Sequence, residues 1–354
     1  VTALRVALAD DSAFIRKAVA RMLSESTGIE LVGSAGRGEE LLEHLDEWNP
    51  DVIVLDLSMP GIGGLATLDE IRARRALPVI ILSTHSRKGA PMTIEALHRG
   101  ATDFLDKQLY SLVDFDGLRQ ALVGKIREVV REASESAPPL ITVPLPREEI
   151  EREPEPPELI VIGASTGGPP AIEALLRELG ADLPVPIALV QHMPPGFTRA
   201  FAERLNAHLP IAVREAEDGE VMRPGTVYIA PGGMHLRITG SAAHLRTSLA
   251  RAPERVLHCP SVDVLFASAG RVLEGRVVAV LLTGMGQDGA EGMLSLARRG
   301  AHTIAQDETT SIIFGMPRAA LLAGAVREVL PLPAIGRRLR QLVAGARLGA
   351  RAGY

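Results

Sequence analysis

The chain has 354 residues, 46% of them hydrophobic and 3% aromatic, with a formal net charge of −5. That length suggests about two domains with aliphatic cores; the charge lacks the basic footprint of a nucleic-acid binder, and few aromatic rings are on hand to stack on bases. Cys259 is the sole cysteine, which excludes a disulfide within the chain and fits a reducing compartment. No apolar run is long enough to span a bilayer, and the first residues lack the form of a signal peptide, so the expectation is a cytoplasmic protein with no direct membrane insertion.

Through residues 1–130, apolar runs alternate with helical patterns. Residues 6–9, 31–32, 52–55, 79–82 and 104–105 read as strands, and 14–23, 39–45, 65–75, 90–99 and 118–130 as helices. Five βα units predict a doubly wound parallel sheet whose functional edge lies at the carboxyl ends of its strands. Asp10 and Asp11 end the first strand, Asp56 the third and Ser83 the fourth, and Lys107 follows the fifth. In the order 2-1-3-4-5 the first and third strands are neighbours, so three carboxylates converge. Like charges in one pocket are costly unless a cation holds them, and a hard oxygen set suits Mg²⁺. An Asp beside such an ion can accept a phosphoryl group, with Lys107 offsetting its charge and Ser83 hydrogen-bonding it. Taken singly, each Asp could equally cap a turn.

Four stretches carry a resemblance: Ala9-Asp10-Asp11-Ser12, Leu55-Asp56-Leu57-Ser58-Met59-Pro60-Gly61, Leu77-Pro78-Val79-Ile80-Ile81-Leu82-Ser83, and Gly100-Ala101-Thr102-Asp103-Phe104-Leu105-Asp106-Lys107. This half resembles a response-regulator receiver domain, which implies a flavodoxin-like fold and Asp56 as phosphoacceptor. It also implies an Mg²⁺ site of Asp10, Asp11, Asp56 and the backbone carbonyl of Ser58, with Phe104 as the switching aromatic. The sequence departs from that pattern at Gln108, where the family has proline, at Thr84, where a small residue is common, and at Gly63-Gly64, where Asp-Gly is usual.

From Arg131 to Glu158 the chain carries seven prolines and eight glutamates. Proline precludes a continuous helix and like charges extend the chain, so residues 131–157 read as a semi-stiff linker between the first half and a second half at 158–347. Residues 348–354 read as a flexible tail.

The second half opens on Leu159-Ile160-Val161-Ile162-Gly163-Ala164-Ser165-Thr166-Gly167-Gly168-Pro169-Pro170. A buried strand, a Gly-rich turn and two prolines suited to a helix's first turn put Ser165 at a sharp strand-to-helix junction. The Gly163-x-Ser165-x-Gly167 pattern fits a nucleophile elbow, with the helix behind it offering N–H groups to an oxyanion. A phosphate cradle or a plain tight turn would read the same way. Residues 185–190 form a second apolar strand that ends at His192, and 277–282 form a third whose exit turn leads to Asp288. Strand ends in a parallel sheet share one edge, and a triad is recognised by roles rather than order. Ser165 would attack, His192 would take its proton and Asp288 would orient the imidazole. The chain order Ser–His–Asp disfavours a standard α/β-hydrolase. His235 and His258 are rival bases, Asp288 could simply cap its helix, and Cys259 before Pro260 reads as a packing residue.

Longer motifs narrow these alternatives: Ile162-Gly163-Ala164-Ser165-Thr166-Gly167-Gly168, Gln191-His192-Met193-Pro194-Pro195-Gly196-Phe197-Thr198, Ala216-Glu217-Asp218-Gly219-Glu220, Tyr228-Ile229-Ala230-Pro231-Gly232, Pro260-Ser261-Val262-Asp263-Val264-Leu265-Phe266, Leu282-Thr283-Gly284-Met285-Gly286-Gln287-Asp288-Gly289 and Phe314-Gly315-Met316-Pro317-Arg318. They resemble the catalytic domain of the chemotaxis protein-glutamate methylesterases, which implies a Rossmann-like α/β fold. The resemblance implies Ser165, His192 and Asp288 as the triad and the backbone N–H groups of Thr166 and Met285 as oxyanion contacts. It implies hydrolysis of glutamate γ-methyl esters on chemoreceptors, with release of methanol, and deamidation of receptor glutamine, all without a cofactor for the ester chemistry. The partners it implies are the methylated cytoplasmic domains of chemoreceptors and a chemotaxis-type histidine kinase that phosphorylates Asp56. The competing readings are a non-enzymatic response regulator whose second half binds partners or nucleotides, which a phosphate ligand at 163–168 would support, and a transcription regulator. The latter lacks a recognisable DNA-binding motif.

Overall fold

The computed structural model describes residues 3–83, 89–107, 115–134, 156–251 and 258–349. The chain divides into two compact units, Val1–Pro138 and Pro139–Tyr354. In the first, β1 (Leu4–Ala9), α1 (Ala13–Ser24), β2 (Ile29–Ala35), α2 (Gly38–Trp48), β3 (Val52–Asp56), α3 (Gly63–Arg74), β4 (Val79–Ser83), α4 (Gly89–His98), β5 (Asp103–Asp106) and α5 (Phe115–Ser134) follow in turn. The strands form one parallel sheet in the expected order, β2-β1-β3-β4-β5. Strands β3 and β4 are buried along their whole length, as strands covered by helices on both faces must be. Val6, Leu8, Val54 and Ile80 of the sheet share a core with Leu122 and Ile126 of α5. Ser12 starts α1 by accepting a hydrogen bond from the Ile15 N–H, which satisfies one of the donors a helix start leaves open.

Helix α5 runs through Ser134, four residues into the stretch read as linker. The charged sequence Lys125–Arg131 still presents Ile126, Val129 and Val130 at helical spacing to the core, and these three are buried. Thr84, Gln108 and most of the Pro/Glu-rich linker lie outside the described residues.

The second unit continues with β6 (Leu159–Ala164), α6 (Gly168–Leu179), β7 (Ile187–Gln191), α7 (Phe197–His208), β8 (Ala212–Glu215), β9 (Thr226–Ile229), β10 (Met234–Ser241), β11 (His244–Arg251), α8 (Val262–Leu273), β12 (Val277–Leu281), α9 (Ala290–Arg298), β13 (His302–Gln306), α10 (Gly315–Leu322), β14 (Glu328–Leu330) and α11 (Leu332–Gly349). Seven strands form a parallel sheet in the order β14-β13-β12-β6-β7-β9-β8, and β10 and β11 make a separate antiparallel hairpin. Both units are thus doubly wound α/β folds. Strand β6 has β7 on one side and β12 on the other. The winding reverses there, which makes its carboxyl end a topological switch point where ligands bind in folds of this class.

One core joins Leu159 and Val161 of β6 and Ala279 and Leu281 of β12 to Leu265 and Phe266 of α8, Met293 of α9, and Leu236 and Ile238 of the hairpin. The hairpin is tied to α8 through the Ile238 N–H, which donates to Ser268 Oγ at 3.0 Å. Helix α6 begins as the sequence predicts, with proline in its first turn and Gly180 at its end. Helix α11 includes Leu348 and Gly349 of the stretch read as tail, and residues 350–354 lie outside the described ones. Among the described residues no helix is long and apolar enough to cross a membrane.

Candidate active site

Register places the serine and the histidine side by side. Ala164 of β6 pairs with Gln191 of β7, so Ser165 and His192 are the next residues on adjoining strands, and the His192 N–H donates to Ala164 O at 3.1 Å. On the other flank, the exit loop of β12 clasps the serine turn. The Ser165 N–H donates to Thr283 O at 3.0 Å. Thr283 Oγ1 donates to Thr166 O at 3.0 Å and accepts from the Ile313 N–H at 2.9 Å. One buried threonine therefore joins three loops. Two glycines are sterically required here. Gly167 sits at φ 74°, where other residues are strained, and a Cβ on it would come within 2.6 Å of Ile312. A Cβ on Gly284 would come within 2.9 Å of the Ser165 Cβ. Met285, one of the two expected oxyanion contacts, follows Gly284 in the chain. Thr166, the other expected oxyanion contact, is buried beside the serine. The Gly168 N–H already donates to Ser165 O at 2.8 Å, so two N–H groups of this turn are committed within the protein, which weakens the phosphate-cradle reading.

His192 Nε2 lies 2.7 Å from Asp288 Oδ2. Its other ring nitrogen, Nδ1, is buried and has no hydrogen-bond partner. No hydrogen bond joins Ser165 Oγ to the imidazole in this structure, and catalytic hydrogen bonds often tighten only with substrate in place. Nδ1 is the ring nitrogen that Asp288 does not engage.

Asp288 precedes α9 but does not cap it. Its carboxylate instead receives the start of α8. Ser261 Oγ donates to Oδ1 at 2.9 Å, the Val262 N–H to Oδ2 at 2.7 Å and the Asp263 N–H to Oδ1 at 3.0 Å. Asp263 returns the arrangement, since its Oδ1 accepts from the Gly292 N–H of α9 at 2.6 Å. Two helix N-termini face each other, each supplying N–H donors to the other's aspartate, where anions are favoured. Burial alone would push the Asp288 carboxyl up. The hydrogen bond and charge of His192, with the Asp263 and Val262 N–H groups, outweigh burial and hold it well below the ordinary carboxylate range. Asp263 goes the other way, pushed up to about 6 by burial and by the adjacent Asp288 charge, against the Gly292 N–H.

The rival histidines sort by geometry. His235 is buried on β10 and has a lowered pKa, mainly through burial and then through Arg237. His258 stacks on His192, with ring centroids 4.4 Å apart and planes 7° apart. Of the three, only His192 is hydrogen-bonded to Asp288. Cys259 is half-buried.

In the first unit, Asp10, Asp11 and Asp56 bring carboxylate oxygens within 4.8 Å of one another, a donor set that fits a hard divalent cation. Lys107 Nζ lies 2.6 Å from Asp10 Oδ2 and 3.2 Å from Asp56 Oδ1. Burial pushes the Asp56 carboxyl up, Lys107 pulls it down and Asp10 raises it again, while the Ser58 N–H favours its charged form. Ser83 Oγ is hydrogen-bonded to Thr93 Oγ1, and Phe104 is buried in β5.

The CheB methylesterase family matches residues 160–339, and the response regulator receiver domain family matches residues 6–121. The protein-glutamate methylesterase/protein-glutamine glutaminase of Geobacillus kaustophilus is 41% identical, over 96% of this chain and 99% of its own. The chain belongs to the CheB methylesterase family. A relative of the same description from a Nocardioides species is 42% identical over 97% of this chain and 96% of its own. Among solved structures, the CheB methylesterase catalytic domain of Thermotoga maritima covers 53% of this chain and 99% of its own length, at 39% identity and a TM-score of 0.51.

Within this CheB-family chain, strand-end reasoning singles out Ser165, His192 and Asp288 but does not foresee the groups hydrogen-bonded to them. Thr283 and the donors of Ser261, Val262 and Asp263 have no assigned role in the sequence reading. Ser261 ahead of an apolar helical run carries a helix-start signal, yet nothing local says that the helix would open onto Asp288.

Proposed function

We propose that this chain is a phosphorylation-activated protein-glutamate methylesterase and protein-glutamine glutaminase that acts on chemoreceptor cytoplasmic domains. The observation that carries this reading is the His192 ring, bound through Nε2 to a charge-stabilised Asp288 with Nδ1 unpartnered, on the strand end next to that of Ser165. Ser165 Oγ attacks the ester carbonyl while Nδ1 takes its proton, and Asp288 stabilises the imidazolium. The N–H groups of Thr166 and Met285 hold the oxyanion. As the tetrahedral intermediate collapses, the imidazolium protonates the departing methoxide and methanol leaves. Water, deprotonated by the same nitrogen, then attacks the acyl-enzyme and frees the glutamate and Ser165. With a glutamine substrate the leaving group is ammonia.

In the receiver half, Asp56 accepts a phosphoryl group from a histidine kinase. Asp10, Asp11, Asp56 and the Ser58 carbonyl would hold Mg²⁺, which when bound offsets phosphoryl charge. Lys107 moves from its carboxylate partners to the phosphoryl oxygens, and Ser83 and Phe104 relay the change. The division of labour is a receiver through the end of α5, a Pro/Glu-rich linker and an esterase half from residue 158. Methanol release from methylated receptor fragments tests the chemistry. Ser165→Ala should lower it by roughly 10⁴-fold or more with folding intact, and a variant that still turns over normally would reject the assignment.

A further inference from the structure

A single hydrogen bond does not fix a catalytic imidazole. The His192 Nε2 bond to Asp288 leaves the ring free to swing about that bond, because the terminal torsion of histidine is broad. Any swing displaces Nδ1, the nitrogen that serves as base in the reaction proposed above. A flat group on the ring face would remove this freedom, and His258 supplies one. Its ring lies 4.4 Å from that of His192, with only 7° between the planes. His258 also leads directly into Ser261, Val262 and Asp263, which hold Asp288 with three hydrogen bonds. The segment is anchored in turn, since Cys259 O accepts from the Gly233 N–H at 3.1 Å. One short segment thus reaches both the face of the imidazole and the carboxylate bound to its edge.

We propose that His258 is a positioning residue whose imidazole face sets the tilt of His192, so that Nδ1 points at Ser165 when Nε2 is bound to Asp288. This role rests on the esterase reading above. It follows from the shape of the ring and not from its nitrogens, so a phenyl ring at position 258 serves and an aliphatic side chain of similar bulk does not.

The test compares full-length wild type, His258→Phe and His258→Leu in methanol release from methylated receptor fragments, with Ser165→Ala as the inactive reference. A small misplacement of a reacting group costs up to about 100-fold. His258→Leu should therefore lose roughly 10- to 100-fold in kcat with KM within about twofold, and His258→Phe should stay within about threefold of wild type. Folding is checked by circular dichroism, and His258→Ala is read in the same way should the leucine variant not fold. A leucine variant with wild-type kcat, or equal losses in the leucine and phenylalanine variants, overturns the positioning role while leaving the esterase reading intact. A wild type that releases no methanol overturns both.

Discussion

The two units place their chemistry at the same kind of address and treat charge there in opposite ways. In each, an aspartate sits at or beyond the carboxyl end of a parallel strand beside the point where the winding reverses. Asp56 shares its pocket with Asp10 and Asp11, and one lysine divides its charge between Asp56 and Asp10. Burial dominates and the carboxyl is pushed up. Asp288 is buried as well, yet three donors from the start of α8 and one histidine hold it charged. On the proposed function the contrast follows from role. A carboxylate that would react with a phosphoryl group is left under-compensated. A carboxylate that must only orient and stabilise an imidazolium is saturated with donors. Topology selects the location, and the number of N–H groups aimed at it selects the role.

The sharpest way to break this contrast is Asp288→Asn. An amide keeps the shape but presents its N–H₂ to some of these donors and loses the charge facing His192. Turnover should fall by roughly 10³- to 10⁴-fold, as expected when the imidazole tautomer is no longer set. Thermal unfolding on the same variant should show a lower melting point. Unchanged turnover would reduce Asp288 to a helix-start anchor.

Next in size is Asp56→Asn, which removes the proposed phosphoacceptor. Coupling of this kind amounts to about 1–3 kcal/mol, or roughly 5- to 150-fold in activity. Wild type treated with a small phosphodonor and Mg²⁺ should gain activity within that range on receptor fragments, and the variant should gain none. A variant that is still activated would move the acceptor elsewhere.

The smallest effect is expected at Asp263, the partner of Asp288 across the two helix starts. Its folded-state pKa, about 6, is above the ordinary carboxylate value, so the folded protein binds this proton more tightly than the unfolded chain. The stability this group contributes is present in acid and is lost as pH rises through about 6. Asp288 has the opposite sign, with stability present at neutral pH and lost as pH falls through its depressed folded-state pKa. Asp263→Asn keeps the acceptor for the Gly292 N–H and removes the like charge. Melting curves should therefore show the variant gaining on wild type as pH rises from about 4 to about 6, with the difference level above that. A constant difference across that range would mean that Asp263 stays charged throughout.

What the sequence determines by itself is everything carried by strand ends. Four to six apolar residues followed by a polar one identify a buried parallel strand and the residue at its functional edge. That suffices for Asp10, Asp56, Ser83 and Lys107 in one unit, and for Ser165, His192 and Asp288 in the other, because neighbouring parallel strands must end on the same side. The helix start at Pro169-Pro170 is equally local. The β10–β11 hairpin goes unparsed because its connection, Ala242-Ala243, lacks the Gly, Asn or Asp that marks a two-residue turn. Only the tertiary structure decides which ring nitrogen of His192 faces Asp288, which histidine stacks on it, and that Ser261, Val262 and Asp263 saturate a carboxylate some 25 residues away. These depend on two helix N-termini meeting across the site. No residue near Asp288 in the chain carries a trace of that meeting, since orphan N–H groups belong to the backbone of every helix start and find their partner only through packing.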